Sequence, residues 1–192
     1  MEGLAAQHVH LVPIRESDRQ GLSIALNDPA AWGNRQLEVD PPHPLTDGEL
    51  DGVFEEMNAP EHGEHYVIEV ADSPVGHAGA RRWWDAMTQD IALFVAPSAR
   101  RKGYGTEAIA VLLAHVFDTT VAESVHAWVP SWDSAGCHFL EQVGFRKAGR
   151  NRRAGLRGGS WYDEVAFDLL RDEWPRGDWR ADEPKARRGD RR

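Results

Sequence analysis

The chain has 192 residues, 41% of them hydrophobic and 28% charged, with a net charge of −9 and one cysteine. That length suits the single core of an ordinary globular domain, the lone Cys137 excludes an internal disulfide, and the acidic balance argues against general nucleic-acid binding. No apolar run approaches the ~20 residues of a membrane-spanning helix, and the opening MEGLAAQHVH lacks the cationic start of a secretory leader, so a cytoplasmic protein with no membrane partner is expected.

In chain order, His8–Ile14 alternates like a strand, and Arg15, Glu16, Ser17 and Asp18 open a short helix that Asn27, Asp28 and Pro29 end. A Pro-rich loop over 40–46 follows. Thr46 and Glu49 have capping-box spacing, which predicts a helix reaching Met57. Strands are predicted at His65–Val70, Val75–Arg82 and Ile91–Val95. The stripe Ile109, Leu112, Leu113 and Val116 has helical spacing. Val125–Val129 is a strand broken by Pro130, and 131–143 a helix ended by Gly144. Phe145–Ala148 and Trp161–Leu169 form a terminal strand pair around a loop over 150–159. The order βααβββαβαββ is mixed α/β, with one domain over 1–172 and a charged, frayed tail over 173–192.

The stretch from Ala99 to Phe117 carries the strongest functional signal. A strand ending at Val95 leads through Arg100, Arg101 and Lys102 into Gly103-Tyr104-Gly105-Thr106 and then a helix. Unpaired N–H groups at a helix start, with glycines allowing close approach and cations beside them, cradle a pyrophosphate. Gly103, Gly105 and Ala108 satisfy the dinucleotide fingerprint G-x-G-x-x-G/A, but that turn follows its strand almost directly. Here the seven residues APSARRK intervene. The pattern R/Q-x-x-G-x-G/A, matched by Arg100, Gly103 and Gly105, accounts for the cations too, and it resembles the pyrophosphate loop of the GNAT superfamily of acetyl-CoA-dependent acetyltransferases.

The resemblance extends over residues 7–172 and is closest to the Rim-type subgroup, through HLVPIRESD, GYGTEA and GGSWYDEVAFDLLRDEW. It implies a sheet splayed after Ile91–Val95, with backbone groups of Leu93, Phe94 and Val95 on the pantetheine arm. It also implies that the N–H groups from Arg101 to Thr106 meet the pyrophosphate. The family's second cofactor element places Asp133 at an Asn position, Gly136 at Ser/Ala and Leu140 at Tyr. Gly136 and Leu140 cannot protonate a departing thiolate. Carboxylate positions of other members fall at Trp128 and Gly155, so the usual acid and base are both missing.

Substitutes are few. Cys137 lies one residue beyond the Ser position, and His126 shares a strand face with Trp128; these are the candidate catalytic residues, with Asp90 and Glu69 behind them. Glu61, His62, Glu64 and His65 have loop spacing for a metal but a solvated, strand-edge context, so no metal is expected. Trp83, Trp84, Trp128, Trp132 and Trp161 are candidates for the cleft wall or for the core.

Charge is uneven along the chain. Residues 1–72 hold 15 acidic residues against three Arg and no Lys, while Arg146–Arg157 carries six cations and no anion. A cationic acceptor would be drawn to the first part. The resulting expectation is an N-acetyltransferase, monomeric or homodimeric, moving acetyl from acetyl-CoA to a primary amine of a small molecule, antibiotic or protein N-terminus. A non-catalytic acyl-CoA-binding module is the alternative.

Overall fold

The structure, a computed structural model, describes residues 3–28, 44–59, 63–82 and 84–174. Among these, eight strands build one sheet: β1 (Leu4–Ala5), β2 (His10–Pro13), β3 (Glu64–Val70), β4 (Ser73–Arg82), β5 (Thr88–Val95), β6 (Ser124–Pro130), β7 (Arg146–Arg157) and β8 (Ser160–Leu170). Their spatial order is β1-β2-β3-β4-β5-β6-β8-β7. The helices are α1 (Arg19–Leu26), α2 (Asp47–Asn58), α3 (Tyr104–Thr119) and α4 (Ser134–Gln142).

All strand pairs are antiparallel except β5–β6, which is parallel and short. Its rungs are Thr88↔Ser124, Gln89↔Val125 and Asp90↔His126. Beyond them β5 stays paired to β4 as far as Val95, and β6 to β8 as far as Pro130. The sheet therefore opens into a V between the downstream halves of β5 and β6.

Alternation along the strands distributes the core over both faces. On one face Tyr66, Ile68, Ile91, Val125, Ala127, Phe167 and Leu169 pack with Ile109, Leu112, Leu113 and Val116 of α3. On the other, Val67 packs with Leu22 and Phe54, and Phe94 borders Leu26, Leu45 and Leu50, under α1 and α2. Helix α1 comes close to the sheet because position 21 is glycine: a Cβ there would stand 2.6 Å from Pro74 Cγ. Arg171, just after β8, donates to the carbonyls of Phe117, Thr120 and Ala122, tying down the exit of α3.

The expected element order holds, preceded by the two-residue β1. The Thr46–Glu49 capping box forms, with Glu49 Oε2 accepting the Thr46 N–H at 2.7 Å. The first helix is shorter than expected, since Glu16–Asp18 is a 3-10 turn in which Asp18 accepts the Arg15 N–H at 2.9 Å.

Other boundaries differ too, α4 starting at Ser134 rather than 131 because Asp133 caps it. Strand β5 begins at Thr88, three residues early, because Thr88, Gln89 and Asp90 are polar yet buried. Strand β7 continues through the expected loop to Arg157. It is an edge strand bonded on one side, with register shifts at Lys147/Gly149 and Asn151/Gly155, so it shows no apolar alternation. Three of its cations are paired within the chain: Arg146 with Glu173, Lys147 with Glu141 and Arg150 with Asp163. Trp174, placed in the tail, is buried in the main core. Residues 40–43 of the Pro-rich loop, Glu61, His62, Trp83 and residues 175–192 lie outside the described residues.

Candidate functional site

The open end of the V is the start of α3. Arg100 Nε donates to Val95 O at 2.8 Å, and its guanidinium lies 5.9 Å from the Phe94 ring centroid, so this side chain clamps the loop to the strand end. The loop then turns through left-handed conformations at Arg101 (φ 63°) and Gly103 (φ 86°). Among the described residues, and apart from its own chain neighbours, no atom lies within 4 Å of where a Gly103 Cβ would stand.

Gly103 O accepts the N–H groups of Thr106 and Glu107 at 3.0 and 3.1 Å. The donors without an intrahelical carbonyl are thus those of Tyr104 and Gly105, as at any helix N-terminus. The expected donor at Thr106 is committed inside the helix. Gly105 sits between strand and helix: a Cβ there would rest 3.5 Å from Val95 Cγ2 and 3.7 Å from Phe139. A left-handed glycine turn, two free helix-start donors and the exposed Arg101 and Lys102 beside a strand gap fit an extended ligand carrying a pyrophosphate.

Beside the V, on the α1/α2 face, lies a cavity of 640 Å³. Its floor alternates out of β4 and β5: His77, Gly79 and Arg81 from one, Asp90, Ala92 and Phe94 from the other. Leu22, Leu26, Val53, Glu56 and Met57 line it from α1 and α2, and Trp128, Pro130, Asn151, Tyr162 and Glu164 complete the lining.

Asp90 is the buried acid of this cavity, 5% exposed, at the last rung before β5 and β6 part. Arg81 Nη2 lies 3.3 Å from its Oδ2. Its Oδ1 is buried, and the Trp128 side chain stands close enough to act on the carboxylate as a hydrogen-bond donor. Burial pushes the carboxyl pKa up, opposed by Arg81 and, more weakly, by His126 and Trp128.

A histidine pair lies deeper on the same floor. His65 Nδ1 and His77 Nε2 are 2.9 Å apart, and the rings stack at 5.2 Å. Gly79 makes the room, since a Cβ there would fall 2.6 Å from His65 Nδ1. Burial, then His65, lowers the pKa of His77 to about 3, so its ring is neutral at neutral pH.

At α4 the departures from the family pattern interlock. Asp133 caps the helix, Oδ1 accepting the Gly136 N–H at 2.9 Å, and Oδ2 would lie 2.6 Å from any Gly136 Cβ. The carboxylate fills the space a serine side chain would take. Leu140 is 6% exposed within the core. Cys137 is half-buried against that core and outside the cavity lining. Burial first, then Asp133, raises its thiol pKa.

Gly155 likewise has an occupant, because a Cβ there would stand 2.3 Å from the Tyr162 hydroxyl. His126 pairs with Asp90 across the last rung but does not line the cavity, and Glu69 sits at a bulge in β3 away from it. Glu64 points to the opposite face from His65, where it meets His115 at 2.6 Å and Tyr66 at 2.8 Å. Trp128 is a cavity wall and Trp132 packs edge-on to Tyr162, while Trp84 and Trp161 are 77% and 61% exposed.

The sequence left out His77, Arg81, Tyr162 and Glu164 as site residues. The available signal was period two: His77, Gly79 and Arg81 share one strand face, as do Tyr162 and Glu164.

In this chain a mixed sheet opens between two parallel strands, with a helix start at the mouth and a 640 Å³ cavity alongside. The profile of the acetyltransferase (GNAT) family matches residues 31–145. An uncharacterized N-acetyltransferase, YnaD of Bacillus subtilis, is 22% identical over 124 residues, 64% of this chain and 73% of that protein. A GNAT-family acetyltransferase from Bacillus anthracis superimposes with a TM-score of 0.75 at 18% identity, covering 89% of this chain and 99% of the other. Spermidine N-acetyltransferase from Vibrio cholerae, solved with CoA and spermine, superimposes at 0.75 with 16% identity, covering 87% and 98%. The chain belongs to the GNAT acetyltransferase family, and it is an acetyltransferase.

Proposed function

We propose that this chain moves the acetyl group of acetyl-CoA to a primary amine of a small molecule by direct attack in a ternary complex, with Asp90 as the base. The position of Asp90 carries the reading: buried, lining the cavity, at the closed end of the V. Acetyl-CoA supplies a thioester-activated acetyl group; across the reaction an N–C bond forms, the C–S bond breaks and the coenzyme leaves as a thiol.

The residues of this chain then divide the work. Leu93, Phe94 and Val95 lie on the edge of β5 that has lost its β6 partner, so their backbone groups are available to the pantetheine amides. The N–H groups of Tyr104 and Gly105 receive the pyrophosphate, assisted by Arg101 and Lys102. Gly103 shapes the turn, Arg100 holds it to the strand, and Thr106 and Asp133 border it from α3 and α4.

Asp90 accepts the proton that the acceptor nitrogen gives up. A raised carboxyl pKa brings this base closer to the working pH, where proton transfer is most effective. His126, opposite it, biases that titration and acts through Asp90. Cys137 is half-buried outside the cavity lining, with its thiol pKa raised, and takes no part in this scheme. A CoA thiol titrates near ~8.5, as a free Cys does, so its departure does not depend on a dedicated acid.

Asp90 supplies the base whose absence favoured a non-catalytic module. The 640 Å³ cavity falls within the ~300–1,000 Å³ usual for small ligands, which favours a small acceptor over a protein N-terminus. The acidic N-terminal third and the polyamine bound by a structural neighbour both favour a cationic one. The test is thiol release from acetyl-CoA across a panel of small amines and N-terminal peptides. Amine-dependent release is expected, and none with any amine would overturn the reading.

A further inference from the structure

The acetyl-transfer reading, on which this inference rests, makes Asp90 a base, and a carboxyl must be ionised before it can accept a proton. Burial works against that, because a carboxylate 5% exposed has lost most of its water. The other acids of the cavity give it no counter-charge: Glu56 of α2 and Glu164 of β8 carry the same sign. His65, His77 and Tyr162 are the remaining titratable groups of the lining, and none of them bears on Asp90.

Arg81 is the one Lys or Arg among the described residues that line this cavity. It stands on β4 at the rung opposite Asp90, with Nη2 3.3 Å from Oδ2. Two features set this pair apart from a tie between strands. First, β4 and β5 are already joined over seven rungs, from Gly76↔Val95 to Arg82↔Gln89, so one partly exposed ion pair adds little to their pairing. Second, Asp90 is the only polar partner of the Arg81 side chain among the described residues. Arg171, by contrast, grips three backbone carbonyls.

The residue is also braced in place. Gly63, just before β3, lies so close that a Cβ there would fall 2.6 Å from Arg81 Cα. The guanidinium is 52% exposed, so it keeps part of its hydration while facing a carboxylate that has little, and it stays charged at any working pH. Burial pushes the Asp90 carboxyl up; Arg81 is the largest influence pulling it back, ahead of His126 and Trp128 of β6.

We propose that Arg81 is the positioning residue of this site: its guanidinium keeps Asp90 a carboxylate and pins Oδ2, so that the base is ready when the acceptor amine arrives. Without that cation the carboxyl holds its proton to higher pH, and the rising limb of the rate moves up the pH scale.

The experiment measures kcat against pH, at saturating acetyl-CoA and amine, for the full chain and for Arg81→Met and Arg81→Lys. Arg81→Met keeps an unbranched side chain and removes the charge. Its rising limb shifts upward by about one pH unit or more, the effect expected of a cation beside a carboxylate. Its loss of rate is therefore about tenfold larger on the limb than on the high-pH plateau. Arg81→Lys returns the limb part of the way. NMR of the Asp90 carboxyl in the CoA-bound chain, assigned by its absence in Asp90→Asn, reads the same upward shift without turnover. Thermal melts confirm that the variants fold.

A limb that stays in place or moves down in Arg81→Met, or an equal loss at every pH, overturns the role of Arg81 and leaves acetyl transfer standing. A limb no lower in Arg81→Lys than in Arg81→Met overturns it too, since charge would then not be what matters. If the wild type acetylates no amine, while the Asp90 titration still moves up in Arg81→Met and back in Arg81→Lys, the hold of Arg81 on Asp90 stands and the acetyl-transfer reading falls.

Discussion

Asp90 of β5 and His126 of β6 face each other across the last rung at which those strands are joined, and Asp90 is the more deeply buried of the two. Upstream of this pair the sheet is continuous; downstream it is open. The site is thus built around the point where a parallel ladder stops, and its buried carboxylate stands at that point rather than on a loop.

Replacing Asp90 tests the base directly. Asp90→Asn is expected to lower kcat by 10²–10⁴-fold, the range for true acid–base groups, while the Kd for acetyl-CoA stays within about threefold. Burial raises the folded carboxyl pKa, with Arg81, His126 and Trp128 opposing. The wild-type rate should therefore rise with pH through a midpoint above the ordinary ~3.9, as the carboxyl loses its proton. The Asn variant should lack that limb. A wild-type limb centred at or below the ordinary value, or the same limb in the variant, would show that another group is the base.

Gly103→Val tests the helix-start cradle. The site has open space, but φ is 86°, a region that a β-branched side chain enters only with strain. The turn should rearrange and withdraw the Tyr104 and Gly105 donors. Calorimetry should show acetyl-CoA binding weakened by at least thirtyfold, about 2 kcal/mol. The local strain should lower Tm by only a few degrees. Unchanged affinity in the folded variant sinks the assignment.

Cys137→Ala should reduce kcat less than about tenfold, well short of the effect of a general acid. The thiol is half-buried against the core with its pKa raised, outside the cavity lining. A thousandfold loss with acetyl-CoA affinity intact would make Cys137 the acid. Leu140→Tyr would not restore the family's acid cleanly, because position 140 is buried in the core, and the added hydroxyl should cost stability.

His77 predicts an acid-sensitive fold. Its pKa is lowered to about 3 in the folded chain from 6.5, so below pH 6.5 the unfolded chain binds a proton that the folded chain refuses. That stability is fully present above pH 6.5 and is lost as pH falls toward 3, with a slope reaching ~1.4 kcal/mol per pH unit. Urea unfolding of wild type and His77→Gln at pH 7 and pH 5 should show their difference shift toward the variant at the lower pH. A difference independent of pH refutes the buried neutral imidazole.

The sequence by itself determined the element order, the Thr46–Glu49 cap and the glycine turn before α3. Each rests on interactions a few residues apart: helical periodicity, a side chain reaching its own helix start, a backbone angle only glycine takes comfortably. It also showed that Gly136 and Leu140 could not serve as the family's acid, since residue type alone settles that.

What only the tertiary structure decided are the relations across strands. Thr88, Gln89 and Asp90 are too polar to announce a strand, yet they carry the whole parallel pairing, because their burial comes from neighbours that are distant in sequence. The cationic β7 was equally unreadable, since an edge strand bonded on one side needs no apolar alternation. The meeting of His65 with His77, the burial of Asp90 and the lodging of Tyr162 over Gly155 all depend on register. Register is set by the packing of the whole sheet, and no local pattern in the chain specifies it.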